Sequence, residues 1–232
     1  MNRPPDKTPD ADNQPDAPDP GPLLTALTTE HFTLQGARSQ TMSESSARAS
    51  VYVFSVSSAL VALGFVGQTS EVGDAFNAFA LTVLPTLYLL GCVTYVRLVE
   101  CGLEDFRYGL AINRIRHYYK EVARDRADLF LLSGHDDGTG VFANMGIFVE
   151  NRSPIFAFST AVAVINGVVG GAALAIALGA ALDAPLGLAV AVGAVAAIIS
   201  VVAWVRHADR LLDAGAARTT PLFPTPASDH QS

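Results

Sequence analysis

The chain is short of charge, and short of it in particular places. Asp, Glu, Lys and Arg supply 16% of its residues, where a soluble globular domain has about a quarter. Nearly all of them lie outside four long apolar stretches whose interiors hold none. Cores of soluble proteins do not stay uncharged over such lengths four times in one chain, so the bilayer is the solvent for much of the sequence. Cysteine is scarce too. Cys92 and Cys101 fall on one predicted helix about 13 Å apart along its axis, beyond the ~7 Å that a disulfide bridges. Both are read as free thiols, as suits a reducing compartment. The start of the chain lacks the apolar core of a secretory signal. No basic stripe on a recognisable module accompanies the net charge of −7, which excludes nucleic acid as a partner.

The four apolar stretches predict transmembrane helices over about 49–67, 75–96, 155–181 and 186–205, each near the ~20 residues that cross a ~30 Å hydrocarbon core. The turns 68–74 and 183–185 carry no lysine or arginine, whereas Arg97, Arg107, Arg114, Arg116, Lys120, Arg124, Arg126 and Arg152 fill the central segment. Arg38 and Arg48 precede the first span, and Arg206 and Arg210 follow the last. Positive charge marks the cytoplasmic side, so both termini are expected there, in a multi-pass plasma-membrane protein. Tyr52, Phe54, Tyr95, Phe156, Phe158 and Trp204 are expected to anchor at the inner interface.

The expected fold is all-α, a four-helix transmembrane bundle of two in-out-in hairpins with helical cytoplasmic extensions. Its parts are a disordered Pro/Asp-rich tail (1–27), a cytoplasmic helix (28–48), a first hairpin (49–96), a cytoplasmic helical segment and loop (97–154), a second hairpin (155–205) and a largely disordered cytoplasmic tail (206–232). Gly167, Gly170, Gly171 and Asn166 are the candidate packing residues. Small residues let helix backbones approach in lipid, and the Gly167–Gly171 pair serves either the hairpin of the last two spans or a homo-oligomer face. An asparagine amide in hydrocarbon needs partners, which other helices supply. Pro85 removes a backbone donor and should kink the second span. No ionisable residue lies inside a span, which argues against a proton-coupled pump or secondary transporter.

In the central segment Val99, Leu103, Phe106 and Leu110 fall on one helix face. That face needs a cover, either the helix before the first span or a neighbouring subunit. Glu104 with Arg107, and Arg124 with Asp128, are spaced for surface pairing. The run 133–140, SGHDDGTG, reads as a solvated turn; adjacent His135, Asp136 and Asp137 do not have metal-ligand spacing. Arg107, Arg114, Arg116, Tyr118 and Lys120 form the candidate ligand surface, with guanidinium for phosphate and rings for stacking. Its candidate ligands are an anionic lipid headgroup or a nucleotide, against the plain alternative of a solvated positive face.

The segments TEHFTLQGARSQ and INRIRHYYKEVA resemble uncharacterised four-span integral membrane proteins of actinobacteria, over about residues 28–205. That resemblance implies no catalytic activity. The layout, without any shared motif, also resembles small membrane effectors of bacterial nucleotide-signalling defence systems. The reading that follows is a non-enzymatic membrane protein without cofactor or metal. Its cytoplasmic helical module would act on the spans, as in a gated pore or effector. A passive scaffold or accessory subunit is the alternative. A lipid enzyme at the interface is the third, with Glu100, Glu104, Asp105 and His117 its only candidate groups.

Overall fold

The structure, a computed structural model, describes residues 20–68, 73–146 and 157–226. The first 19 residues of the expected tail, residues 69–72 of the first turn, Arg152, Phe156 and residues 227–232 lie outside them. The described residues form only helices: α1 (Pro20–Gly67), α2 (Gly73–Ala123), a short 3-10 helix (Arg124–Leu129), α3 (Gly138–Asn144), α4 (Ala157–Leu182) and α5 (Leu186–Ala217). Four of these, α1, α2, α4 and α5, are long and apolar enough to cross a membrane. The chain is a multi-pass membrane protein by that measure.

Helices α1 and α2 hold 48 and 51 residues, roughly 72 and 76 Å at 1.5 Å per residue. Each is more than twice the ~30 Å that the hydrocarbon requires, so both have an apolar half and a half outside it. No proline interrupts α1 after its first turn. Helix α2 runs on through Pro85, and the nearby Thr82 and Thr86 hydroxyls donate back to the Ala78 and Thr82 carbonyls.

In the apolar half α2 is central, with α1 on one side and α4 on the other; α5 packs mainly on α4. The junction of α1, α2 and α4 is polar at one point. The Tyr52 hydroxyl donates to Asn166 Oδ1 at 3.0 Å, and Asn166 Nδ2 reaches Cys92 Sγ at 3.5 Å. A methyl group on Gly91 would collide with the Asn166 amide. Asn166 thus has partners on two neighbouring helices, as its cost in hydrocarbon demands. Gly167 and Gly171 face α5, where Gly171 and Gly193 bring the two backbones together with no room for a side chain. Gly170 turns the other way and lies under the Tyr88 ring.

The two tyrosines expected at the interface are buried instead. Tyr52 is 1% and Tyr95 2% exposed. Tyr95 meets the Trp204 ring at a 50° tilt with centroids 4.7 Å apart and donates to the Trp204 carbonyl at 2.6 Å. Their hydroxyls found protein acceptors, so the rings join the core rather than the headgroup layer. Phe54 is exposed, as an anchor would be.

Helix reaches into both segments expected to be tails. Helix α1 begins at Pro20, within the segment read as disordered. Helix α5 continues through Arg206, Asp209, Arg210 and Asp213 to Ala217. Those charges mark an exposed helix face, while Ala208 is buried on the inner one. Residues 218–226 then form a strap whose amides reach Asp136 and Asp137.

Candidate functional site

Outside the apolar half the first part of α1, the last part of α2, α3, the end of α5 and the strap form one distal module. Its base is the apolar face of α2 anticipated from sequence. Val99, Phe106 and Leu110 are buried; Val99 joins the main core, which α1 shares, but the cover of Phe106 and Leu110 is not α1. Phe106 lies against Phe142 with centroids 5.8 Å apart, and Val141, Met145 and Leu212 complete the cluster. The cover is α3 and α5. The glycines of 133–140 hid the first of these helices and the charges of 206–213 hid the extent of the second.

Helix α1 takes a different face of α2. Leu98, Gly102, Asp105, Ile112, Arg116 and Tyr119 fall at the heptad spacing of a coiled-coil seam; Gly109, at the remaining position, lies under Val141 of α3. His31, Leu34, Arg38, Thr41 and Ser45 repeat in the same way on α1. The pairs Arg38–Asp105, Glu44–Arg97 and Thr28–Tyr119 fix an antiparallel register. Arg38 grips Asp105 with both arms, Nε to Oδ1 at 2.7 Å and Nη2 to Oδ2 at 3.1 Å. Arg97 grips Glu44 with the charges exchanged between helices, at 2.9 and 3.1 Å. Hydrogen bonds from Arg97 and Arg48 hold the Glu44 carboxyl down at about 2. The same bond to Glu44, with one to Glu100, pushes Arg97 further up. Bidentate pairs of this kind add geometric specificity as well as attraction.

The run 133–140, read as a solvated turn, is the anchor of the strap. Asp136 is fully buried and receives three donors: Arg114 Nε at 2.7 Å, Leu222 N at 3.1 Å and Phe223 N at 2.7 Å. Asp137 caps α3 through Gly140 N at 2.8 Å and takes the Thr225 amide and hydroxyl at 2.6 and 2.8 Å. The Phe223 ring stacks on His117 at 3.7 Å between centroids. Burial raises both aspartates, but their convergent donors outweigh it and hold each below its ordinary range. An aspartate at this spacing is a helix-start signal, but the three glycines make the run read as a turn. The partner of Asp136 lies 86 and 87 positions along the chain and left no local signal.

The five candidate ligand residues do not form one surface. Arg107, Arg114 and Tyr118, seven and eleven residues apart, share a helix face; Arg116 and Lys120 point to another. Arg114 is spent on Asp136 and the Thr220 carbonyl. Arg116 Nη1 donates to Asn113 Oδ1 at 2.7 Å and the Ser133 carbonyl at 3.1 Å. Asn113 in turn donates to the His135 carbonyl, and its Oδ1 also receives Asn144. Much of the INRIRHYYKE run therefore builds the seat of the 133–144 loop. Arg107, Tyr118 and Lys120 make no hydrogen bond or ion pair among the described residues. The anticipated Glu104–Arg107 and Arg124–Asp128 pairs are also not formed; Glu104 meets Arg97 at 3.3 Å instead.

The acids and histidine considered for lipid chemistry do not converge either. Asp105 is enclosed by Arg38, and His117 is stacked under Phe223 and faces Glu121 at 3.6 Å. Glu100 pairs with Arg97. No group of three potential metal ligands occurs among the described residues. Comparison of the chain with protein-family models, with curated proteins and with solved structures finds no match, so the geometry of the module carries the functional argument by itself.

Proposed function

We propose that the chain is a non-enzymatic plasma-membrane protein with both termini in the cytoplasm, in which a ligand-responsive helical module acts mechanically on the membrane spans. The carrying observation is continuity: α1 and α2 pass without a break from the module into the apolar half. A change in their separation at the module is a change of tilt inside the bilayer. The two crossed Arg–carboxylate clamps set that separation. The basic residues on the module side support the inward orientation, and the resemblance to four-span actinobacterial proteins fits the same layout.

The working form of this reading is a gated pore or effector. The recess of about 720 Å³ along α4 and α5 is lined by alanine, glycine and aliphatic side chains with Asn77 as its polar member. Such a lining does not carry ions, so a conducting path would form between copies. The test is dye or ion release from vesicles holding the purified protein, with wild type set against Arg38→Ala. Release that changes with the clamp supports the reading; tight vesicles with both proteins, at every protein density, count against it.

A scaffold or accessory subunit is the second reading, and one observation favours it. Leu129 and Leu131 are 81% and 94% exposed where the chain turns back after α2, just before Ser133 reaches Arg116, which lies ~28 Å along α2 from Arg97. Lipid does not account for apolar surface there. A stoichiometric partner retained through purification, and lost on Leu129→Ser with Leu131→Ser, would favour this reading.

A further inference from the structure

The carboxylates that cross the seam between α1 and α2 in the distal module are already taken. Glu44 is held by Arg97 and Arg48, and both oxygens of Asp105 are taken by Arg38. Arg116 sits in the same heptad three turns further on, only partly exposed. Both of its bonds, to Asn113 Oδ1 and the Ser133 carbonyl, go to neutral oxygens. Its Nε and Nη2 have no acceptor among the described residues, and no carboxylate pairs with it. Lys120, one turn beyond, is likewise without an ion-pair partner.

Opposite Arg116 stands His31, in the register fixed by the Thr28–Tyr119 bond. Its ring meets the Tyr119 ring edge-on at 5.8 Å. Nε2 lies 2.8 Å from the Gln35 amide, while Nδ1 is buried with no hydrogen-bond partner among the described residues. Burial lowers the basicity of both His31 and Arg116. The next cation along the seam lowers each further, Arg116 for His31 and Arg38 for Arg116. A partly buried guanidinium without a counter-charge is costly, because its lost hydration is repaid only by neutral oxygens.

We propose that Arg116, with His31 across the seam and Arg38 and Lys120 to either side, binds an oxyanion of the phosphate class between α1 and α2. The planar fork of arginine suits such an anion, and its unused nitrogens are the ones left to hold it. The inference rests on the ligand-responsive reading above and names the chemistry of its ligand. Phosphate chemistry has two sources, a lipid headgroup or a soluble molecule. Arg116 lies 19 residues past Arg97, ~28 Å along α2, whereas headgroups extend only ~5–8 Å beyond the hydrocarbon. The soluble source is the one the spacing favours.

The experiment is thermal unfolding of the full chain in phosphatidylcholine nanodiscs, titrated with inorganic pyrophosphate at constant ionic strength, with chloride as control. The midpoint should rise with the logarithm of pyrophosphate once the site saturates. Arg116→Gln should lose the rise, Arg116→Lys should keep a reduced one, and Arg107→Gln, on another face, should keep it all. If Arg116→Gln does not fold, His31→Leu carries the comparison and should weaken the rise. A midpoint raised by phosphatidylglycerol nanodiscs and not by pyrophosphate would assign the site to lipid and overturn the soluble source. No rise with either, or a rise that survives both Arg116 and His31 substitution, overturns the site. Binding without any change in vesicle release would leave the site standing and sink the coupling instead.

Discussion

Replacing Asp136 by asparagine keeps the shape of the strap's anchor and removes its charge. The side chain is fully buried, and three donors converge on its two oxygens. Asparagine offers one carbonyl oxygen and turns an N–H₂ group toward donors. At least one N–H of Leu222 or Phe223 then loses its acceptor, and the bond to Arg114 loses its charge. A charge-assisted bond is worth about 1.5–3 kcal/mol and an orphaned buried donor about 1–3. Arg114 is 41% exposed and regains water, which places the sum near the low end, about 3 kcal/mol. What remains is the Asp137–Thr225 pair and the His117–Phe223 stack. The opening equilibrium of the strap should shift about a hundredfold. Amide hydrogen exchange reads this directly, as faster exchange at Leu222 and Phe223 by the same factor. Unchanged exchange there in Asp136→Asn would refute the assignment of the anchor. The pH response has a fixed sign. Both aspartates titrate below their unfolded value of 3.8. Their contribution is therefore complete above that value and is lost as pH falls through the lower folded one. Strap protection should be flat from neutrality to about pH 4 and fall only in stronger acid.

Four further substitutions test the packing. Arg38→Ala strands the buried Asp105 and should cost about 3–5 kcal/mol; the Arg38→Ala/Asp105→Ala double variant should recover part of it in thermal unfolding, and simple additivity would show that the pair is not coupled. Asn166→Leu removes the acceptor of the Tyr52 hydroxyl and should lower stability in mixed micelles by about 1–2 kcal/mol. Gly91→Ala drives a methyl into the Asn166 amide and should cost about 1–3 kcal/mol. Gly36→Ala meets open space and should instead raise the melting temperature, through up to ~1 kcal/mol of helix propensity; equal effects at the two glycines would contradict the packing.

The four apolar helices were legible because their signal is long and uninterrupted, and hydrocarbon tolerates few alternatives. Asn166 was legible as a buried amide for the same reason. What composition concealed were contacts between distant parts of the chain. Asp136 and Asp137 look like turn residues until the strap, some 86 to 88 positions later, places its amides on them. The end of α5 looks like a charged tail because one face of it is charged, while Ala208 and Leu212 on the other supply cover for α2. Tyr52 and Tyr95 carry an amphipathic signature that an interface and a hydrogen-bonded core satisfy equally well. Arginine and tyrosine in INRIRHYYKE announced a surface, yet a helix spreads neighbouring residues over all its faces. Charge accounting separates Arg116 from Arg114, and that requires knowing which carboxylate each one meets.

The seam between α1 and α2 changes character along its length, and this decides which helix can move. In the apolar half α1 contributes Tyr52, Val56 and Leu63, all buried. In the module it contributes His31, Arg38, Thr41 and Ser45, opposite Gly102, Asp105 and Arg116. Little apolar area is removed from water there, so the hydrophobic term is small. Ion pairs with one partly exposed member add little net free energy to replace it. Helix α2, by contrast, is held on its other face by Phe106, Leu110, Val141 and Phe142 and by the strap bound through Arg114 and Asp136. On the proposed reading the distal half of α1 is therefore the lever and α2 the post it moves against. Hydrogen exchange should find the amides of 28–45 opening at lower free energy than those of 98–115, although both lie in unbroken helix. An oxyanion drawn between Arg116 and His31 should slow exchange in 28–45 while leaving 98–115 unchanged. Equal protection of the two segments before any anion is added would remove the physical basis for a lever, whatever binds in the seam.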